Sequence, residues 1–267
     1  MQGSSAIVLD HVTKRFSSPA GDVYTAVEDV QLAVSQGRFV AVVGPSGCGK
    51  STLLNLAAGL LSPSEGSIAV HGEPLVGLNE KAAYLFQQDA LLPWKTVLDN
   101  VALGLLLRRW RRRPARDLAR HWLDRIGLGP FADHFPRQLS GGMRKRVAIA
   151  QSWILDPEIL LMDEPFSALD VHTRQIMENE LLALWGESRQ TVLFVTHNLD
   201  EAIGLADEVV LLSSGPRSRV VGTYPVDLPR PRDVMEVRTE PHFVELYRTI
   251  WADLREEVMR SHASASA

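Results

Sequence analysis

Three short runs along the chain are apolar at nearly every position: FVAVV from Phe39 to Val43, ILLM within EILLMDEP, and VLFV within TVLFVTHN. A strand with one wet face alternates polar and apolar residues, whereas a strand without polar positions belongs in the middle of a sheet covered on both sides. The segment from about Val171 to Gly186, between the second and third runs, has helical spacing, and LLNLAAGLL follows the first as a helix. Apolar strands alternating with helices predict an α/β fold with a parallel sheet. Shorter β-rich runs at Ile7 to Leu9 and Val27 to Val34 predict strands near the N-terminus.

Between Gln87 and about Phe135 the pattern changes. WKTVLDNVALGLLLRRW and ARDLARHWLDRIGL are rich in Leu and Arg and read as helices inserted between the apolar strands. From Pro225, PVDLPRPRD reads as an extended, proline-rich turn, and an amphipathic helix is predicted around His242 to Met259. The longest apolar runs, LLNLAAGLL and VALGLLL, fall short of the ~20 residues a spanning helix needs, so any work at a membrane requires another chain to cross it.

Composition changes this picture little. A chain of 267 residues with 45% hydrophobic positions supports one large domain or a main domain with a smaller lobe. A net charge of -4 does not point to nucleic acid. The single cysteine, Cys48, cannot form an internal disulfide and fits a reducing compartment. No basic segment followed by a long apolar run opens the chain, so a signal peptide is not expected.

The chemistry begins at GPSGCGKST. Gly44, Pro45, Ser46, Gly47, Cys48, Gly49, Lys50, Ser51 and Thr52 match G-x-x-x-x-G-K-[ST], with a strand before and a helix after. Glycines let backbone N–H groups turn inward on a phosphate, and the helix start adds favourable potential. Lys50 is expected to reach the β/γ-phosphates, Ser51 to ligate Mg²⁺ and Thr52 to add a phosphate contact. Cys48 fills a small-residue slot. Asp163 ends a buried strand, where it can hold Mg²⁺ through water, and Glu164 is the candidate for polarising an attacking water. His197 ends the third apolar strand as a plausible γ-phosphate sensor. LSGGMRKRVAIAQ, from Leu139 to Gln151, places Ser140, Gly141 and Gly142 at a second helix start, a second phosphate loop in one chain.

GPSGCGKST, the glutamine of LFQQD, LSGGM, ILLMDEP, SALD and VTH stand in the order found in the nucleotide-binding subunits of ABC transporters, which this chain resembles over nearly its full length. The resemblance implies a P-loop NTPase core with a mostly parallel sheet, an N-terminal antiparallel β subdomain and a helical signature-motif subdomain. It implies an ABC ATPase domain over residues 1–229, the helical part at approximately 88–150, and a C-terminal helical extension over 230–267. Two subunits would pack head to tail, each ATP lying between one phosphate loop and the partner's signature segment. Ser140, Gly141, Gly142 and Asp170 would then serve the partner's nucleotide. Glu164 matches the general base, His197 the switch histidine, and Gln87 the glutamine that touches Mg²⁺ or the water. Phe16 matches the aromatic that stacks on adenine; Tyr24 is a less well-placed candidate, and the alternative for either is a core aromatic. Met143 departs from the more frequent glutamine, which bears on the strength of closure.

GPSGCGKSTLL, LLPWKTVLDNVALGL, MDEPFSALDVHTR and PVDLPRPRD further resemble ATPase subunits of bacterial importers for nitrate, sulfonates, taurine and related solutes. That likeness implies ATP and Mg²⁺, a homodimer, integral membrane permease subunits, an extracytoplasmic solute-binding protein, no nucleic acid, and a peripheral position on the cytoplasmic face of the membrane. Leu91, Leu92, Pro93 and Trp94 would lie near a groove for a permease helix, or pack internally. The basic run from Arg108 to Arg116 reads as a solvated helix end or as a contact for anionic lipid headgroups. A DNA-repair relative would carry a long coiled coil between the halves, a translation-factor relative two such domains, and an exporter fused membrane spans. A lone P-loop kinase or GTPase has no use for LSGG.

Overall fold

The computed structural model describes residues 4–18 and 21–265. Two long strands, β1 (Ser5–Ser17) and β2 (Val23–Ser35), open the chain as an antiparallel pair, followed by β3 (Phe39–Val43) and helix α1 (Lys50–Ala57). Strands β4 (Glu65–Val70) and β5 (Glu73–Pro74) complete an antiparallel sheet in the order β2-β1-β4-β5. The sequence pattern predicts strand only at Ile7 to Leu9 in the first stretch; the pairing continues to Ser17 through several register shifts. Bulges of this kind keep a strand paired where its alternation breaks.

After β6 (Ala82–Leu85) come the inserted helices α2 (Val97–Leu107) and α3 (Arg112–Arg125), then α4 (Gly141–Trp153), β7 (Ile159–Asp163) and α5 (Val171–Ser188). The chain ends with β8 (Thr191–Val195), α6 (Leu199–Leu205), β9 (Glu208–Leu212), β10 (Val220–Pro225) and α7 (Pro241–Ala265). The second sheet runs β10-β9-β3-β8-β7-β6, parallel throughout except for the antiparallel edge pair β9–β10.

Period-two alternation divides β3 between two cores. Val40 and Val42 face α1 and the antiparallel sheet, where they join Leu53, Leu54 and Leu56. Phe39, Ala41 and Val43 face the other way, into a core shared with α5, α6 and α7. There Phe39 meets Trp185 edge to face at 5.7 Å. Each fully buried side chain of this size contributes roughly 1.5–3 kcal/mol. A third cluster holds α2 and α3 together through Val97, Leu98, Val101, Ala119 and Leu123. Helix α4 belongs to two of these cores: Ala148, Ile149 and Trp153 pack toward the sheet, and Val147, Ala150 and Ile154 pack toward the inserted helices. In α7, Phe243, Ile250 and Leu254 are buried in the same core as Phe39.

Candidate nucleotide site

The sheet order sets β8 directly between β3 and β7. All three are parallel, so the phosphate loop after β3, Asp163 and Glu164 at the end of β7 and His197 after β8 emerge on one edge, where open α/β sheets bind ligands. Within the loop Gly49 has φ +90°, and a methyl there would lie 2.6 Å from Val27 Cγ1. Glycine is required on both counts. Cys48 is fully buried, as expected of a small slot-filling residue. Lys50 is buried too, and its ammonium donates to the carbonyls of Gly44 at 2.9 Å and Pro45 at 3.0 Å. Those are weak partners for a buried cation, and an anionic ligand is the stronger one.

A cavity of about 310 Å³ opens above the loop, lined by Ser46, Gly47, Gly49, Lys50, Ser51 and Thr52, with Glu164 on one side and Phe16, Tyr24 and Ala26 on another. Phe16 and Tyr24 are direct cross-strand partners in β1 and β2, so their side chains share a face. Both are partly exposed, at 38% and 49%. The register therefore brings both candidate aromatics to the cavity mouth, which linear spacing had no means of showing.

Ser51 Oγ donates to Asp163 Oδ1 at 3.0 Å. The Tyr84 hydroxyl lies 3.3 Å from Asp163 Oδ2 and 3.1 Å from Asn55 Oδ1. Burial raises the Asp163 pKa, and the hydrogen bonds from Ser51 and Tyr84 oppose that rise. Burial, then the Asp163 charge, raises the Tyr84 hydroxyl as well. The hydroxyl and carboxylate of Ser51 and Asp163 are hard oxygen donors of the type Mg²⁺ takes. Among the described residues no cluster of three His, Cys, Asp or Glu side chains is placed to hold a metal.

Glu164 has φ +42°, a left-handed conformation uncommon for a non-glycine residue and typically costing about 1–3 kcal/mol. Its N–H donates to Val195 O at 2.8 Å, which fixes the backbone against β8. Its Oε2 lies 2.8 Å from His197 Nδ1. The Ser167 hydroxyl donates to Glu164 O at 2.9 Å and accepts from Gln87 Nε2 at 3.4 Å. Ser167 thus links Gln87 to the Glu164 backbone, while His197 bonds the Glu164 carboxylate directly; sequence reasoning missed Ser167 along with Tyr84. Lone serines and tyrosines carry no pattern, but Ser167 stands three residues after Glu164, at turn spacing. Behind His197, the Thr196 hydroxyl donates to the buried Glu201 Oε2 at 2.6 Å. Glu201 lies 3.6 Å from Arg174, whose Nη2 donates to Leu169 O at 2.9 Å beside Asp170.

Ser140, Gly141, Gly142 and Asp170 contribute nothing to the cavity above Lys50. Ser140 is the N-cap of α4 and accepts from Met143 N at 3.3 Å; Asp170 is the N-cap of α5 and accepts from Thr173 N at 3.0 Å. The Thr173 contacts lower the Asp170 pKa. The two helix starts adjoin: a methyl on Gly142 would lie 2.8 Å from Thr173 Cγ2. Within one chain, then, the second loop and Asp170 form a surface of their own.

A sheet that lines up a phosphate loop, an acidic strand end and a histidine on three neighbouring parallel strands is built to hold and split a nucleoside triphosphate, and the fold is that of a P-loop ATPase cassette. The chain belongs to the ABC transporter family, which residues 27–167 match. It is 44% identical over 253 residues to an ABC transporter ATP-binding protein of Methanocaldococcus jannaschii, covering 95% of this chain and 92% of that one. It is 42% identical over 240 residues to the nitrate import ATP-binding protein NrtD of Synechococcus elongatus, covering 89% and 87%. A solved dimeric ATP-binding cassette in a post-hydrolysis state with ADP and Pi superposes with a TM-score of 0.73 at 32% identity, over 84% of this chain and all of that one. The protein is an ATP-binding, ATP-hydrolysing subunit of a transporter. No helix among the described residues is long and apolar enough to cross a membrane.

Proposed function

We propose that the protein is the Mg²⁺-dependent ATPase of an importer for a small anion or organic solute of the nitrate, sulfonate or taurine type, working as a homodimer beneath a membrane-spanning permease. The observation that carries this reading is the separation within one chain of the Lys50 cavity from the surface of Ser140, Gly141, Gly142 and Asp170. Each is half of a site, and a head-to-tail pair completes two. The nitrate import relative supports the direction of transport and the anionic cargo. The permease places the subunit at the cytoplasmic face, and an extracytoplasmic protein delivers the solute.

In this mechanism Lys50 exchanges its two carbonyl partners for the β- and γ-phosphates, and the N–H groups of the Gly44–Thr52 loop surround the β-phosphate. Phe16 stacks on the adenine, with Tyr24 beside it. Ser51, Asp163 and Gln87 would hold Mg²⁺, which would supply charge neutralisation on the phosphate oxygens. Glu164 takes a proton from the attacking water as the water oxygen bonds the γ-phosphorus and the bridging bond to the β-phosphate breaks. His197 orients Glu164, and its other ring nitrogen is free for the γ-phosphate. Ser140 and the α4 helix start supply donors to the partner's γ-phosphate, so its loss releases the pair. Leu91 and Leu92 are half-buried, while Pro93 and Trp94 are exposed, Trp94 at 72%. None of the four lines the groove of about 320 Å³ formed by Phe86, Asp89, Ala90, Leu103, Gly104 and Leu107, which suits a short permease helix and which Leu91 adjoins only through Ala90.

The test is the solution mass of Glu164→Gln with and without MgATP, by light scattering on a sizing column. A monomer that becomes a dimer only with MgATP is the expected result. An ATP-induced dimer that forms equally well when Ser140 and Gly142 are replaced by bulky residues refutes the shared site.

A further inference from the structure

The connection between α2 and α3 is used by none of the chemistry above. Over residues 108–117 it carries six arginines against one aspartate, in a chain whose net charge is -4. Every residue from 107 to 114 is exposed. Two of the arginines have partners: Arg108 Nη1 donates to Leu155 O at 2.9 Å, and Arg116 pairs with Asp99. Arg109, Arg111, Arg112 and Arg113 have no ion-pair partner among the described residues.

Their placement opposes local stability. Arg111 is the N-cap of α3 without a capping side-chain bond, and Arg112 and Arg113 occupy a first turn that contains no acidic residue. Cations there face the positive end of the helix dipole and one another. An anionic surface over the turn removes both penalties at once. A merely solvated charge run also needs no apolar neighbours, yet Trp110 is 48% exposed and Leu107 75% exposed within the same turn. Arginine beside tryptophan is the pairing found at the headgroup level of bilayers, the cation on phosphate and the ring among the glycerol and first methylene groups. Leu107 also lines the groove described above, so the basic turn continues that face.

From this geometry we propose that the α2–α3 turn is a contact for anionic lipid headgroups, with Arg109, Arg111, Arg112 and Arg113 on the phosphates and Trp110 and Leu107 dipping into the interface. The permease reading enters only through adjacency, and the test needs no permease. The intact protein is sedimented with phosphatidylcholine vesicles, with and without phosphatidylglycerol. Each arginine near such a surface contributes about fivefold to partitioning. Wild type is expected on the phosphatidylglycerol vesicles only, and released in about 1 M salt, where the Debye length falls to about 3 Å. Arg109→Gln, Arg111→Gln, Arg112→Gln and Arg113→Gln together are expected to lower binding at least about fiftyfold, allowing for charges that share one field. ATP hydrolysis by that variant stays unchanged, which controls for folding. Wild type that ignores phosphatidylglycerol, or a quadruple variant that binds it as well as wild type does, overturns the proposal. Binding to permease in neutral nanodiscs that the variant loses, with no response to phosphatidylglycerol, assigns the turn to an acidic permease segment and equally overturns it.

Discussion

Lys145 gives the sharpest quantitative test of how the helical insertion is fastened to the phosphate site. It sits in the first half of α4, five residues after Ser140, and is only 2% exposed. Its ammonium lies 3.1 Å from Asp89 Oδ1 and donates to Gln87 O at 3.2 Å and Phe86 O at 3.4 Å. Asp89 Oδ2 in turn accepts from Arg144 Nε at 3.1 Å, and Arg144 Nη1 donates to Leu139 O at 2.8 Å. The backbone around Gln87 is therefore tied to the backbone before Ser140 through one carboxylate and two cations. Burial lowers the Lys145 pKa and Asp89 opposes that, so the amine is a costly group held by its partners. In Lys145→Met, Asp89 loses a buried partner and two carbonyls lose their donor. Removing one member of a buried pair typically costs 3–5 kcal/mol, but Asp89 is 23% exposed and keeps Arg144, so about 2–3 kcal/mol is expected. At roughly 2–4 °C per kcal/mol for a chain of this size, Tm should fall by about 5–10 °C in thermal denaturation. A double-mutant cycle with Asp89→Asn should show coupling above ~1 kcal/mol. A Tm within about 1 °C of wild type, or strict additivity in the cycle, would refute the reasoning.

Two further outcomes follow from groups away from that clasp. Glu178 is fully buried in α5, its Oε1 has no hydrogen-bond partner and its Oε2 is 3.4 Å from Arg238 Nη2. Burial, then the nearby Glu201 charge, pushes its pKa up to about 7. A carboxyl raised in the folded state stabilises fully below its unfolded pKa and loses that contribution as pH rises through about 7. Wild type should thus lose stability relative to Glu178→Gln between pH ~4.5 and ~7, with a ceiling of about 3 kcal/mol; an equal difference at both pH values in urea titrations contradicts this. At the cavity mouth, Phe16→Ala should weaken binding of a fluorescent ATP analogue by about 1 kcal/mol or more and Tyr24→Ala by less, as expected for loss of an aromatic stack. Equal affinity for both variants and wild type removes the pair from adenine recognition.

The strands that carry the chemistry were legible because burial on both faces leaves no polar position in FVAVV, ILLM or VLFV. Strands β4, β6, β9 and β10 escaped for different reasons. EGSIAV begins with three exposed residues, AAYL has only four positions, and the edge strand VVGTYP alternates exposed and half-buried positions, while VVLL of β9 is as buried and unbroken as ILLM and carried no neighbouring motif to mark it. The phosphate loop was readable residue by residue because its backbone geometry demands particular residue types. Ser167, Tyr84 and Lys145 were not, since their roles come from what the fold brings near. Lys145 lies within a basic stretch, Arg144 to Arg146, that reads as solvated. One signal was present: it precedes Ala148 and Ile149 by three and four residues, which places it on the buried stripe of α4.

In the proposed head-to-tail pair, the membership of α4 in two cores limits how Ser140 can be delivered to the partner's nucleotide. A lobe hung on flexible linkers would offer a continuum of positions for the serine. Here the same helix is gripped on one side by Ala148, Ile149 and Trp153 and on the other by Val147, Ala150 and Ile154. Close-packed surfaces slide from one interlocked arrangement to another and resist the positions between. The axle of the lobe is also its latch, and in the proposed pairing a ligand seated in the groove beside α2 would bear on the serine through this helix without touching ATP.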